Sequence, residues 1–173
     1  MASQSKRTFQ VGDAVEVCCN EEGFLGSYWE ATIIATIRSI CLVKYKHFVE
    51  EHDESTPLRE TVKRKDLRPL PPNIVPSRYS SLQGHRVDAF LKDVWWVGTI
   101  SRKVDADHYV VFFENTGEEI ACPLSKLRFH MDWFNGEWVP SKKRRAPVTL
   151  ELSRPAPVPL KKKEEVRRRT VLF

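Results

Sequence analysis

The sequence predicts an all-β protein made of two small related modules, and an internal repeat is the main reason. Three segments recur in the same order in both halves of the chain: VGDAVEV at 11–17 with QGHRVDAF at 83–90, YWEATII at 28–34 with WWVGTI at 95–100, and KDLR at 65–68 with SKLR at 125–128. A recurring series of this kind indicates repeated structural units. The offset between the copies falls from 72 residues at Gly12 and Gly84 to 60 residues at Leu67 and Leu127, so the first copy carries loop insertions.

Each copy contains short runs rich in Val, Ile, Tyr, Phe and Trp that are separated by turn residues at intervals of about ten residues. This pattern is typical of a small barrel or sandwich, and no helix is required. The period of two along a strand places Trp29, Ala31 and Ile33 on one face and sends Glu30 and Thr32 to the other. The second copy repeats this arrangement with its own inward set, Trp96, Gly98 and Ile100.

The predicted organisation has five parts. Residues 1–8 form a disordered N-terminus, 9–70 the first module, 71–82 a proline-rich linker, 83–140 the second module, and 141–173 a basic, proline-containing disordered tail. Asn135-Gly136 predicts a terminal hairpin within the second module. Trp133 and Trp138 flank this turn, and we expect them to pack on a barrel or on the module junction.

Charge is unevenly distributed along the chain. The net charge of the whole chain is +5, but residues 1–140 hold 17 Lys/Arg against 20 Asp/Glu, a net of −3, while residues 141–173 carry a net of +8. The modules are therefore suited to a basic partner. The chain lacks an apolar run long enough to span a membrane, so we expect a soluble intracellular protein without membrane contact.

The residues that could support chemistry do not form a catalytic or metal-binding pattern. The five histidines are scattered, no phosphate-binding glycine loop or G-x-S-x-G motif is present, and we expect a non-enzyme without a cofactor. The four cysteines form no C-x-x-C pair, so we interpret Cys18, Cys19, Cys41 and Cys122 as reduced, partly buried thiols. A zinc site from His47, His52 and a cysteine does not fit standard spacings.

Aromatic residues accompany acids where the predicted strands meet loops. Ring faces attract cations, and methylation makes an ammonium easier to remove from water, so such a cluster suits a methylated lysine. A carboxylate at the rim could accept the remaining N–H of a dimethylated lysine or pair with basic residues of a peptide. The alternative interpretation is that these rings only fill a small core.

These segments, together with 23–33 (GFLGSYWEATI) and 127–138 (LRFHMDWFNGEW), resemble a plant tandem Agenet pair over about residues 9–140. The resemblance implies two tandem Tudor-like, five-stranded barrels of the Royal group. It also implies a nuclear chromatin reader that binds a histone tail carrying methylated lysine, linked to heterochromatin and gene silencing.

The resemblance further suggests which residues form a cage. In the first module the candidates are Phe24, Tyr28, Trp29, Tyr45 and Phe48, although the family's usual ring at the end of the first strand falls near Cys18 or Cys19. In the second module they are Phe90, Trp95, Trp96 and Phe113, with Thr116 where a further ring would lie. The expected acidic peptide-binding rim is Glu50, Glu51, Asp53, Asp93 and Glu114. We expect the first module to be the reader.

The alternatives are an RNA-binding or other nucleic-acid module, and an assembly module for an unmethylated protein partner. The sequence predicts that any weak nucleic-acid contact comes from the basic tail, because the modules are acidic. Within the tail, Lys142, Lys143, Arg144 and Arg145 are a candidate nuclear-localisation signal. We expect a monomer.

Overall fold

The computed structural model describes residues 8–76 and 81–141. The strands are β1 (Ala14–Cys19), β2 (Ser27–Ile37), β3 (Ile40–Glu50), β4 (Asp53–Lys63), β5 (Leu67–Pro69), β6 (Arg86–Leu91), β7 (Val94–Lys103), β8 (His108–Phe113), β9 (Glu118–Pro123), β10 (Leu127–Phe129), β11 (Met131–Phe134) and β12 (Glu137–Pro140). Arg64–Asp66 and Leu124–Lys126 form single 3-10 turns.

The two repeats fold alike, which confirms the prediction of tandem five-stranded, Tudor-like barrels. In the first repeat the strand order is β5-β1-β2-β3-β4, and in the second it is β10-β6-β7-β8-β9, with every neighbouring pair antiparallel. The alternation along β2 is also as predicted, because Trp29, Ala31 and Ile33 are buried while Glu30 and Thr32 are half-buried. Each barrel therefore has an apolar inner face, and the buried apolar residues of the two repeats form one continuous cluster.

The predicted terminal hairpin is present as β11 and β12. Trp133 and Trp138 are directly opposite each other across the two strands, with ring centroids 5.1 Å apart. Asn135 and Gly136 both have positive φ angles, 50° and 86°, as a two-residue hairpin turn of this type requires. The Trp138 ring also lies 5.3 Å from the guanidinium carbon of Arg68, so the hairpin contacts the first module.

The two barrels are joined edge to edge through β2 and β7. Ser27 pairs with Trp96 and Tyr28 with Trp95 in an antiparallel register, and the amide of Val97 donates to the carbonyl of Gly26 at 2.9 Å. Tyr28 and Trp95 occupy matching positions in the two repeats. Pairing of equivalent residues gives the junction an approximate two-fold symmetry.

A cluster of buried charges fills the contact between the barrels. Glu16 and Asp88 occupy matching positions in β1 and β6, and Arg68 and Arg128 match in β5 and β10. Both arginines lie 2.7 Å from Glu16, while Asp88 lies 2.9 Å from Arg128 and 3.6 Å from Arg68. Each carboxylate thus pairs with the arginine of its own barrel and with that of the other barrel.

His130 adds to this cluster from the segment between β10 and β11. Its Nδ1 lies 2.5 Å from Asp88 Oδ1 and its Nε2 lies 3.3 Å from Asp132 Oδ1. Burial by itself would raise the pKa of Asp88, but the hydrogen bond and charge of His130 and the charges of both arginines outweigh burial and hold that pKa below its usual range. Burial raises the pKa of Glu16, and the two arginines oppose that shift without cancelling it.

Aromatic rings cover the guanidinium groups of the cluster. The guanidinium carbon of Arg68 lies 3.2 Å from the centroid of the Tyr28 ring, and that of Arg128 lies 4.0 Å from the Trp95 ring. A cation above a ring face is stabilised by the ring quadrupole, more strongly when water is excluded. The arginines are therefore fixed by ring faces as well as by carboxylates.

No helix among residues 8–76 and 81–141 is long and apolar enough to cross a membrane. Residues 1–7 of the predicted N-terminal segment 1–8, residues 77–80 of the linker and residues 142–173 of the tail 141–173 lie outside the described residues. All strands of the first repeat fall within residues 9–70, and those of the second repeat and the hairpin fall within 83–140.

Replacing Arg128 by methionine should strongly destabilise the protein, because it leaves Glu16 and Asp88 short of a partner in a buried site. Removing one member of a buried ion pair costs about 3 to 5 kcal/mol. Urea denaturation followed by tryptophan fluorescence measures the free energy of unfolding.

The matched control is Asp105→Asn, which removes the exposed ion pair between Asp105 and His108, 2.9 Å apart. This change should leave the urea midpoint nearly unchanged, because water screens that pair. Equal effects of the two substitutions would show that the charges at the junction are hydrated rather than buried.

Candidate functional site

Four of the aromatic residues proposed for the first-module cage come together at the inner face of the barrel. Trp29 lies at the centre, and its ring centroid is 5.8 Å from Phe24, 5.9 Å from Tyr45 and 4.6 Å from Phe48. Tyr45 and Phe48 are 6.3 Å apart with nearly perpendicular planes. All four residues are at most 9% exposed. We call this set, Phe24, Trp29, Tyr45 and Phe48, the aromatic cluster.

A serine orients two members of the cluster. The Ser27 hydroxyl donates to the Phe24 carbonyl at 2.6 Å and accepts the indole N–H of Trp29 at 2.9 Å. Ser27 is fully buried, and its own amide also donates to the Phe24 carbonyl at 3.0 Å. This chain of hydrogen bonds fixes the loop that carries Phe24 relative to the Trp29 ring.

A carboxylate anchors a third member. The Tyr45 hydroxyl donates a short hydrogen bond to Glu60 Oε2 on the neighbouring strand β4. Burial, and then the nearby Glu60 charge, raise the pKa of Tyr45, so its phenol stays neutral and remains a donor. Glu60 is exposed, and it is therefore an acidic group at the solvent side of the cluster.

Tyr28, the fifth residue proposed for this cage, lies on the opposite face of β2. Its ring contacts the Arg68 guanidinium and lies 6.0 Å from the His130 ring. Burial raises the pKa of Tyr28 to about 12. The structure thus places Tyr28 in the module junction, apart from the aromatic cluster, because adjacent residues of a strand point to opposite faces.

The residues proposed as an acidic rim are spread over several sites. Glu50 accepts the backbone amide of Arg59 at 3.3 Å, and Glu51 is exposed in the turn between β3 and β4. Asp53 accepts hydrogen bonds from Ser55 and Thr56, which lower its pKa to about 2. Asp93 lies in the β6–β7 turn with φ of 66°, and Glu114 is exposed after β8.

The second-module candidates divide into two sites. Trp96 and Phe113 line a small open cavity of about 10 Å³, room for about one water molecule, together with Leu91, Asn115, Thr116 and Glu118. Phe90 and Trp95 lie on the outer face with ring centroids 4.9 Å apart, and there Lys126 lies over Phe90 at 5.0 Å. Two rings, rather than four, therefore face the cavity of the second module.

A polar groove of about 170 Å³ lies beside the junction of the two modules. Its lining residues come from both repeats and from the start of the hairpin: Gly26, Tyr28, Arg86, Val97, Gly98, Thr99, Glu114, Asn115, His130 and Asp132. Asn115 lines both this groove and the second-module cavity. The groove therefore runs alongside that cavity.

Glu30 connects the outer faces of the two modules and was not among the proposed site residues. Its Oε1 accepts the indole N–H of Trp95 at 3.0 Å, and its Oε2 lies 2.6 Å from Lys46 Nζ. Burial alone would raise the pKa of Glu30. The hydrogen bonds from Lys46 and Trp95 outweigh burial, so the pKa of Glu30 lies below its usual value.

Sequence reasoning also missed Ser27 and Glu60, whose roles depend on which backbone and ring atoms lie beside them. The charge cluster had a usable signal, because Glu16/Asp88 and Arg68/Arg128 recur at matching places inside apolar strands. Among the described residues, no group of three or more His, Cys, Asp or Glu side chains is placed to hold a metal ion.

Replacing Ser27 by alanine should destabilise the protein by about 1 to 3 kcal/mol, because the buried indole N–H of Trp29 then lacks an acceptor. Urea denaturation measures this loss. Ser101→Ala is the control, since the half-buried Ser101 hydroxyl makes a single long hydrogen bond to the Val110 carbonyl at 3.3 Å. A loss no greater than that of the control would mean that the Trp29 indole does not depend on Ser27.

Comparisons with known proteins agree with this fold. The Agenet domain profile matches residues 12–72. The crystal structure of Arabidopsis thaliana AGDP1 AGD34 superposes with a TM-score of 0.70 and 30% sequence identity, covering 76% of this chain and 90% of that chain. The crystal structure of ADCP1 tandem Agenet domain 3-4 superposes with a TM-score of 0.64 and 26% identity, covering 77% of this chain and 89% of that one.

Two full-length relatives from Arabidopsis thaliana are considerably longer. Protein AGENET DOMAIN (AGD)-CONTAINING P1 is 38% identical over 140 residues, which are 80% of this chain and 26% of the relative. DUF724 domain-containing protein 3 is 33% identical over 130 residues, 72% of this chain and 19% of the relative. The chain thus spans about a quarter or less of these relatives. The paired barrels, the family match and the likeness to solved tandem Agenet structures show that this chain belongs to the Agenet domain family.

Proposed function

We propose that this chain is a reader of methylated lysine, with the aromatic cluster of the first module as its binding site. The observation that supports this proposal is the convergence of four aromatic rings on the inner face of one barrel, with a carboxylate at the solvent side. A methylated ammonium gains about 0.5 to 2 kcal/mol from each ring face that encloses it. An unmodified ammonium loses more hydration on entering the same site.

The rings contact one another in this structure, so binding requires one of them to move. Phe48 is the natural candidate, because its segment of β3 pairs irregularly with β4: the register shifts between Lys44 and Val49 and again between Val49 and Glu50. Trp29 and Tyr45 are held by hydrogen bonds to Ser27 and Glu60. We infer that displacement of the Phe48 ring opens the space for the methylated side chain.

Charge supports a basic peptide as the partner. Residues 1–140 are net negative, and Glu60, Glu50 and Glu51 belong to the strands and the turn around the cluster. A histone tail has the required chemistry, combining methylated lysine with neighbouring arginines and lysines. We therefore propose a methylated histone tail as the ligand and the nucleus as the location, with a role at heterochromatin and in gene silencing.

The second module would then set the geometry of the pair. Its cavity holds two rings, and the polar groove beside the junction carries Glu114 and Asp132. These carboxylates could pair with basic residues of the peptide. The nuclear-localisation candidate at Lys142–Arg145 and any contact of the basic tail with nucleic acid lie outside the described residues.

A second function is favoured by the closed packing of the aromatic cluster. Rings 4.6 Å apart, as Trp29 and Phe48 are, also occur in cores that bind nothing. In that case the pair would be an assembly module for an unmethylated protein segment. The two functions differ in whether binding depends on methylation.

The test is calorimetric titration of the full chain with histone-tail peptides that differ only in lysine methylation. We expect a micromolar dissociation constant for a methylated peptide, because a few kcal/mol from the cage are partly offset by ordering of the peptide. Trp29→Leu should abolish this binding, whereas Trp133→Leu, which removes a ring of the terminal hairpin, should preserve it.

Equal affinity for methylated and unmodified peptides would contradict the reader function and favour the assembly function. Binding of RNA by the chain without residues 142–173 would instead support the nucleic-acid alternative. The circular dichroism spectrum and the melting temperature of each variant establish that it is folded.

A further inference from the structure

Phe24 lies between two tryptophans that belong to different modules. Its ring centroid is 5.8 Å from Trp29 in an edge-on arrangement and 6.1 Å from Trp96 in a stacked arrangement with planes 28° apart. Phe24 is 7% exposed and Trp96 is 6% exposed, so this contact is buried. Phe24, a member of the aromatic cluster, therefore packs against a residue of the second module.

The loop that carries Phe24 is attached to the second module by its backbone as well. The Gly26 carbonyl accepts the Val97 amide at 2.9 Å, and Ser27 pairs with Trp96 across the β2–β7 junction. A Cβ on Gly26 would lie 3.1 Å from the Asn115 side chain, which shows how closely the loop approaches the second module. The loop conformation thus depends on β7.

Trp96 is itself held in place within the second module. Its indole N–H donates to the Leu91 carbonyl at 3.3 Å, and its ring lines the cavity that also contains Phe113. The register that places Ser27 opposite Trp96 is fixed in turn by the adjacent pairing of Tyr28 with Trp95. The Trp96 ring consequently has a defined position from which to support Phe24.

We propose that Trp96 is a positioning residue for the methyl-lysine site of the first module, and that it acts through Phe24. This inference rests on the proposed reader function. Without the Trp96 ring, Phe24 keeps only its contact with Trp29. The Phe24 ring is then no longer fixed in position, and the cage loses one of its four rings. The tandem pair, rather than the first barrel alone, is then the unit that carries the complete cage.

The experiment measures dissociation constants of the full chain for methylated and unmodified histone-tail peptides. The variants are Trp96→Leu, Phe24→Leu, the double variant and Trp96→Phe. Loss of one ring wall should weaken binding of the methylated peptide about 3- to 30-fold and leave the unmodified peptide unaffected. The ratio of the two constants is the decisive readout, because a general loss of structure would weaken both.

Phe113→Leu is the matched control. Phe113 lines the same cavity as Trp96, but no ring contact joins it to Phe24 within the described part of the chain. We expect Phe113→Leu to keep the methylation preference, and Trp96→Phe to restore most of it. We also expect the double variant to be no weaker than Phe24→Leu alone, since two residues that act through one contact are not additive.

A preserved methylation preference in Trp96→Leu would overturn the proposal while leaving the reader function intact. An equal loss in Phe113→Leu would also overturn it, because Trp96 would then act in its own cavity. If the unsubstituted chain does not distinguish the peptides, the reader function itself fails. In that case, nuclear Overhauser contacts between the Phe24 and Trp96 rings would test their packing independently of peptide binding. The melting temperature and circular dichroism of every variant separate local effects from unfolding.

Discussion

The pairing of Glu16 and Asp88 with Arg68 and Arg128 at the contact between the barrels is the interaction on which the tandem arrangement depends. Four charges removed from water would be costly if any one of them lacked an opposite charge. Each carboxylate contacts one arginine from each barrel. Separating the modules would therefore expose all four charged groups to water or leave some of them partly buried without an opposite charge. The relative position of the barrels is therefore tightly specified, whatever the net contribution of the pairs to stability.

This constraint assigns different roles to neighbouring aromatic residues. In both repeats two adjacent rings begin the long strand, and the pleat sends one inward and one outward. The outward rings, Tyr28 and Trp95, cover the guanidinium groups of the charge cluster. The inward rings, Trp29 and Trp96, face the candidate site and the second-module cavity, with Phe24 between them. The junction and the candidate site are thus built on opposite faces of the same strands.

The two modules differ on their inner faces but share the same strand order. The first module presents Trp29, Tyr45 and Phe48, and its β1–β2 loop supplies Phe24 as a further ring. The second module keeps Trp96 and Phe113, has Thr116 beside them, and leaves an open cavity with Glu118 in its lining. The first site consequently combines four rings, whereas the second has two rings beside a small, mainly apolar cavity.

The sequence by itself determined the repeat, the all-β class, the terminal hairpin and the inward face of each long strand, because these follow from local periodicity and turn residues. The grouping of Trp29, Tyr45 and Phe48 came from the family resemblance and not from periodicity, and the structure brings these three rings together. The sequence could not show that Glu16, on the outward face of β1, would be fully buried, since only the docking of the second barrel covers that face. Strand alternation already separates Tyr28 from Trp29, so the resemblance placed Tyr28 in the cage against the local pattern. The roles of Ser27 and Glu60 and the Phe24–Trp96 contact depend on tertiary packing. These features arise where separate strands and modules meet, and spacing along one chain does not specify such contacts.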